Sequence, residues 1–194
     1  MQPENKIFLR EKYLKLRKKY LKDELLKKNL LINKKIIFLI KKHKFKNIGL
    51  YYSKNNEVDL EETLNFCLEN KISCYFPKII NKKIEFVKIT KKSELITDKY
   101  QIKAPISNNF LKNINIIEII FCPCIAFNLN YQRIGYGKGY YDKFLKNFFN
   151  LKAIVAFNFQ KLEEITNFEE YDVKLDLIIT ETDLLINKNN NFYK

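Results

Sequence analysis

Glycine is scarce in this chain, four residues in 194, and proline is no commoner at four. Histidine is rarer still: His43 is the only one, in a lysine-rich stretch that reads as solvent-exposed. A single histidine fits poorly with a Ser–His or Cys–His nucleophile. There are four cysteines, Cys67, Cys74, Cys122 and Cys124. Cys122-Pro123-Cys124 has neither the second ligand pair nor the histidine partner of a zinc site. The cysteines therefore read as buried, inert thiols in a reducing compartment. Long apolar runs are missing too. A stretch such as residues 36–40 is far short of the roughly 20 residues that span a bilayer. Residues 1–6 are polar and no apolar signal-peptide core follows, so the expected location is the cytoplasm, with no membrane partner. No internal repeat or linker divides the chain, which sets the expectation of one domain over 1–194.

What is present is a globular composition, 46% hydrophobic and 14% aromatic, with a net charge of +14. That charge has two readings. One is an electrostatic footprint for nucleic acid or another polyanion. The other is a whole-chain bias towards lysine, asparagine and isoleucine, and the even spread of lysine favours it. Either way, anionic ligands are attracted at long range.

The few glycines are not spread evenly. Gly135, Gly137 and Gly139 fall within five positions of Arg133-Ile134-Gly135-Tyr136-Gly137-Lys138-Gly139-Tyr140-Tyr141-Asp142. Alternate glycines let backbone N–H groups converge on an anion, and Arg133 and Lys138 bring two cations to the same loop. The spacing is neither a Walker A motif, nor the dinucleotide fingerprint, nor a kinase loop with its companions. A helix is predicted over residues 140–149, its N-terminus adding unpaired N–H donors. Asp142, in its first turn, could hold a metal ion against phosphate. The physical reading is a polyphosphate cradle.

Elsewhere the patterns alternate between helix and strand. Residues 4–44 read as helical, with Asn29 and Asn33 marking a break between two helices. Residues 48–52 and 72–76, the second ended by Pro77, read as strands. Between them Asp59 and Glu62 resemble a capping box opening a helix to about Asn70. Strand, helix and strand in this space form a βαβ unit and predict a largely parallel sheet. Further strands are predicted at 84–89, 114–121, 153–157 and 175–180, with a loop over 91–113 and a frayed tail after Ile186.

The ten-residue glycine string and its surroundings, Pro123 to Asp142, resemble the hallmark segment of the 5-formyltetrahydrofolate cyclo-ligase family, P-G-x-A-F-D-x-x-G-x-R-L-G-x-G-x-G-Y-Y-D. Lys6 to Arg10 is similar to the family's K-x-x-L-R helix, Tyr52 through Glu57 to Glu62 to its first strand and substrate loop, and Tyr171 to Glu181 to its closing segment. Departures are Cys124 for glycine, Asn128 for aspartate, Tyr131 for glycine and Tyr171 for histidine. A tyrosine resists positive φ, so neighbouring Asn130 becomes a candidate for that conformation.

The resemblance implies a three-layer αβα fold, Rossmann-like, with a largely parallel central sheet. It implies ATP- and Mg²⁺-dependent cyclisation of 5-formyltetrahydrofolate to 5,10-methenyltetrahydrofolate, through phosphorylation of the formyl oxygen and attack by N10. It also implies roles. Arg133, Lys138 and Tyr140 would be catalytic. Lys6 and Arg10 would reach ATP from the N-terminal helix. The loop Arg133, Ile134, Gly135, Tyr136, Gly137, Lys138, Gly139, Tyr140 and Tyr141 would cradle the nucleotide. Tyr52, Glu57 and Tyr100, with Tyr136, Gly139 and Tyr140, would contact the folate. Asp142 and Asp172 would bind Mg²⁺, with Asp176 the runner-up and its strand position favouring a structural role. A polyglutamylated folate would suit the basic surface, and the expected state is a monomer with no nucleic-acid partner. The alternatives are a basic nucleic-acid-binding protein and a nucleotide- or folate-binding relative without catalysis.

Overall fold

The structure, a computed structural model, describes residues 5–54, 56–97, 103–163 and 172–188. Two helices open the chain, α1 (Lys6–Lys19) and α2 (Lys22–His43). The break between them falls at Tyr20–Leu21 and not at the asparagines. Asn33 is instead buried inside α2, where its carbonyl accepts from the Thr63 N–H at 3.0 Å and from the Thr63 hydroxyl at 2.6 Å. Its amide donates to the Asp59 and Asn29 carbonyls. A polar residue in mid-helix here ties α2 to the next helix, α3 (Glu61–Glu69). Asp59 does accept from the Glu61 N–H, at 2.9 Å, but Leu60 is the N-cap residue.

The strands are β1 (Asn47–Gly49), β2 (Ser73–Ile80), β3 (Lys83–Ile89), β4 (Leu95–Thr97), β5 (Lys103–Pro105), β6 (Ile119–Pro123), β7 (Ala126–Phe127), β8 (Arg133–Ile134), β9 (Leu151–Val155), β10 (Leu177–Ile179) and β11 (Leu184–Ile186). Seven of them make one sheet in the order β11-β10-β9-β6-β1-β2-β3. The five inner strands run parallel, and the outer two join antiparallel. β4 pairs with β5 and β7 with β8 in two small hairpins. The β4–β5 hairpin occupies part of the stretch expected to be loop.

The alternation of side chains in the parallel strands explains the layers. Ile119, Phe121, Ala153, Val155, Leu177 and Ile179 face α2 and α3. Ile120, Cys122, Ile154 and Ile178 face the other way, towards Leu145 and Phe148. Among the described residues that second face carries one short helix, α4 (Tyr140–Leu145). The helix predicted to reach residue 149 stops early because the chain turns at Lys146–Asn147, which puts Phe148 in the core and leaves Phe149 exposed. A third cluster joins Leu9 and Tyr13 of α1 to Ile125, Ala126 and Ile134.

Pro77, expected to end its strand, does not. It lies within β2, beyond the last residue paired with β1, so the N–H it lacks has no partner strand to miss on that side. β2 then turns into β3 through Asn81 and Lys82, both at positive φ, 48° and 62°, as a two-residue hairpin turn of the I′ kind requires. The fourth glycine, Gly49, allows β1 to approach its neighbours closely. A Cβ there would lie 2.7 Å from Ile120 Cγ1 and 3.3 Å from Phe86 Cε1. Gly49→Ala is expected to lower stability by about 1–3 kcal/mol through overpacking, read as a lower urea midpoint with an unchanged slope.

The cysteines are free and buried, and burial pushes the Cys122 and Cys124 thiols up to about 12. They are inert at neutral pH. His43 is half-buried, contrary to expectation, stacked on Phe45 with ring centroids 5.5 Å apart. Burial, with Lys42 nearby, lowers its pKa. Among the described residues no helix is long and apolar enough to cross a membrane.

Candidate active site

The sheet changes direction of growth at its middle. From β1 the chain adds β2 and β3 on one side, then returns to place β6 and β9 on the other. In open parallel sheets the crevice at such a reversal, outside the C-terminal strand ends, is where ligands sit. Here Tyr51 and Tyr52 follow β1 and Pro123 ends β6, and all three line one cavity of about 720 Å³.

The cavity collects nearly every residue singled out from the sequence. Lys6 and Arg10 enter from α1, Tyr52 and Glu57 from the loop after β1, and Arg133 to Asp142 from β8 and the start of α4. Asp172 closes it from far along the chain. Tyr100 and Tyr171 lie outside the described residues. Asp176 is not among the lining residues. Its carboxylate accepts from the Lys152 N–H at 2.8 Å, a structural tie between β9 and β10.

The glycine loop is held from below by arginines. Arg10 Nε donates to the Gly135 carbonyl at 2.8 Å. Its guanidinium carbon sits 3.2 Å from where a Gly137 Cβ would be, and Gly137 has φ of 90°. A side chain at residue 137 would be strained twice over, by backbone and by contact. Arg133 is buried, its side chain 3% exposed. Its Nη2 donates to Asp142 Oδ1 at 2.9 Å and its guanidinium lies 5.1 Å from the Tyr141 ring centroid. Arg133 Nε has no hydrogen-bond partner among the described residues. Lys138, by contrast, is exposed at the loop tip, 6.0 Å from the Tyr140 ring centroid. Arg133 thus shapes the loop and aims Asp142, while Lys138 is the exposed cation of the same loop. Gly139, at φ 65°, is the residue before α4. That helix has six residues, too few for its dipole to be a major term.

The entry to the loop corrects the expectation for Asn130. Tyr131 itself adopts positive φ, 62°. Asn128 makes this tolerable: its side-chain Oδ1 accepts from the Asn130 and Gln132 N–H groups at 3.0 Å each, and its backbone N–H donates to the Gln132 backbone carbonyl. An asparagine where aspartate was expected still ties the turn through its side-chain oxygen.

The second half of the cavity centres on Glu57. It is 7% exposed, and burial raises its carboxyl to about 7, against the lowering effect of Arg17, the Lys54 N–H, Tyr136 and the Lys54 charge. Oε2 accepts from the Lys54 N–H at 2.9 Å. Oε1 accepts no well-formed hydrogen bond among the described residues, although the Tyr136 hydroxyl lies close enough to act on its charge. Tyr136 is 44% exposed overall, but its hydroxyl end is buried, which with Glu57 raises its pKa. Tyr136 thus lines the cavity with its hydroxyl near Glu57 and Arg17. Tyr52 accepts from Lys103 Nζ at 2.6 Å. Arg17, Lys54 and Lys103 were not singled out in the sequence. Arg17 carried a signal: with Lys6, Arg10 and Tyr13 it follows one face of α1 at helical spacing.

A largely parallel sheet with a cation-lined crevice at its reversal point is the layout of an α/β enzyme whose site suits an anionic ligand. The 5-formyltetrahydrofolate cyclo-ligase family profile matches residues 2–181. The 5-formyltetrahydrofolate cyclo-ligase of Mycoplasma genitalium is 38% identical over 152 residues, covering 76% of this chain and 81% of its own length. That of Mus musculus is 25% identical over 173 residues, covering 82% and 85%. Among solved structures, the 5,10-methenyltetrahydrofolate synthetase of Aquifex aeolicus superposes with a TM-score of 0.85 at 26% identity, covering 97% of this chain and 96% of that one. The synthetase of Mycoplasma pneumoniae gives 0.75 at 30% identity, covering 92% and 99%. The chain belongs to the 5-formyltetrahydrofolate cyclo-ligase family. Its activity is that of the family, conversion of 5-formyltetrahydrofolate to 5,10-methenyltetrahydrofolate, a ligase reaction of one-carbon metabolism. The family is ATP-dependent.

Proposed function

We propose that the chain carries out this conversion by transferring the γ-phosphoryl group of ATP to the formyl oxygen of the folate. A formamide oxygen is a poor leaving group, and phosphorylation makes it a good one. N10 then attacks the formyl carbon and loses its proton, and phosphate departs as the imidazolinium ring closes. ADP and phosphate are the co-products. The protein's part in such a transfer is positioning and charge stabilisation. One observation carries this reading: the glycine loop with Lys138, the Glu57 carboxyl, and the Asp142 and Asp172 carboxylates all line a single cavity.

In this reading Lys138 and the loop N–H groups hold the β- and γ-phosphates, and Lys6 and Arg10 approach from α1. Tyr140 is carried by the same loop beside Lys138, at the junction of ATP and folate. Tyr52 and Glu57 face the folate ring system. Exposed Lys103 offers a counter-charge for the substrate's glutamyl carboxylates, one or several. In this reading the working unit is a monomer folded as one domain.

Mg²⁺ suits the donor set. It needs one or two carboxylates and completes its shell with phosphate oxygens and water. Asp142 and Asp172 offer that number, and each is already oriented, by Arg133 and by Lys6 respectively. When bound, the ion would neutralise charge developing on the β- and γ-phosphates. The test is product formation followed by the methenyl chromophore, with ADP and phosphate counted against it. One ADP per ring closed is expected, and ring closure without ATP would refute the scheme. Asp142→Asn is expected to raise the Mg²⁺ concentration for half-maximal rate at least ~10-fold. An unaltered Mg²⁺ response would remove Asp142 from the metal.

A further inference from the structure

Arg17 is the most thoroughly buried charged side chain in the described structure, 1% exposed, and nothing in the reaction scheme uses it. Its position is fixed at two ends. Nη2 donates to the Cys124 carbonyl, just after β6, at 2.7 Å. Nη1 stands 3.9 Å from Glu57 Oε1. At that distance the pair is electrostatic and not a direct hydrogen bond. Oε1 thus feels the guanidinium yet keeps its acceptor capacity for something in the cavity. A buried carboxylate oxygen left without a hydrogen bond is costly unless a ligand supplies the donor.

We propose that Arg17 is a positioning residue for folate recognition, anchored to the Cys124 carbonyl so that it holds Glu57 aimed with Oε1 towards the N–H donors of the substrate's ring system. The inference rests on the reading that Glu57 faces the folate. The Tyr136 hydroxyl reaches both Glu57 and Arg17, so the same cluster ties the glycine loop to the folate side of the cavity. An arginine suits this role because its planar fork can bond a carbonyl with one nitrogen while presenting another to the carboxylate.

The surrounding charges make the effect readable by pH. Facing Glu57 are Arg17 from α1, Lys54 from its own loop, Tyr136 and Tyr141 from the glycine loop and α4, Tyr51 after β1, and Cys124 after β6. The tyrosines and the thiol are all shifted upwards and stay neutral at pH 7. Glu57 is the group that changes charge near neutrality, since burial raises it to about 7. As pH falls through that value the carboxylate is protonated and the acceptor is lost, so KM for the folate rises. Arg17 lowers the carboxyl's pKa, so its removal moves this acid limb to higher pH.

The experiment is a kinetic cycle of Arg17→Met, Glu57→Gln and the double variant, with KM for folate, KM for ATP and kcat measured across pH 5.5–9. Arg17→Met is expected to raise KM for the folate roughly 10- to 100-fold, to move the acid limb upwards, and to leave KM for ATP within about 2-fold. In the Glu57→Gln background the same change is expected to add little. Full additivity, or an acid limb that stays in place, would overturn the proposal. Glu57→Gln alone tests the underlying site reading: if it leaves KM for the folate unchanged, that reading fails and this one with it. Should Arg17→Met not fold, Arg17→Lys keeps a charge but loses the fork. A smaller rise in KM with a partly shifted limb is then expected, and unchanged values would overturn the proposal equally.

Discussion

Arg133→Ala is expected to lower kcat/KM by roughly a thousandfold or more and to destabilise the fold as well. The first effect follows from what Arg133 aims. It fixes Asp142 through a 2.9 Å bond, supports Tyr141, and fills the space beneath Gly135, where a Cβ would lie 2.9 Å from its Nη1. Losing a preorganised charged group at a phosphoryl-transfer site typically costs 10²–10³ in rate, and here the loop geometry goes with it. The second effect follows from burial. Removing one partner of a buried ion pair costs about 3–5 kcal/mol. Asp142 is partly exposed and can recover some hydration, so a loss towards the low end is expected. Lysine is not expected to rescue activity, because a point charge cannot bond Asp142 and lie flat on Tyr141 together. Chromophore kinetics and urea unfolding on the same preparation check both halves. Near-normal kcat/KM in Arg133→Ala would refute the aiming role.

Lys138→Ala is expected to be the complement: kcat reduced ~10²- to 10³-fold with the unfolding midpoint unchanged. Lys138 is exposed at the loop tip, so its removal takes away little packing. An effect confined to kcat would mark an interaction made in the transition state, and one confined to KM for ATP would mark ground-state binding only. Unchanged kinetics would exclude it from the phosphate role.

The contrast between these two residues shows what could be seen in the sequence. The loop was legible because glycine is so rare that three together demand a backbone reason. The division of labour within it was not, since nothing in Arg133-x-x-x-x-Lys138 says which cation is buried. Arg17 was only half visible: its spacing from Lys6, Arg10 and Tyr13 marks a shared face of α1, but composition does not say which of that helix's many cations is turned inwards. The parallel core was predictable from its β-branched runs and the βαβ spacing. Pro77 and Asn33 misled because each is a local breaker that tertiary partners accommodate, an unpaired strand side for one and the Thr63 and Asp59 contacts for the other. β11 escaped because three apolar residues near a polar tail give no period to read. Tyr131 was the sharpest discrepancy with the family pattern. The structure meets it by letting tyrosine take the glycine's conformation, with Asn128 binding the turn.

The ion pair between Lys6 and Asp172 joins residues 166 apart in sequence and closes one wall of the cavity. On the ribosome, Lys6 leaves the exit tunnel long before Asp172 is made. The wall they close can form only once the segment carrying Asp172 has been made and docked beside α1. Long-range closure of this kind is a late and slow event in folding. The cavity's shape therefore depends on α1 and the segment before β10 being brought together, and no single βαβ unit can supply it.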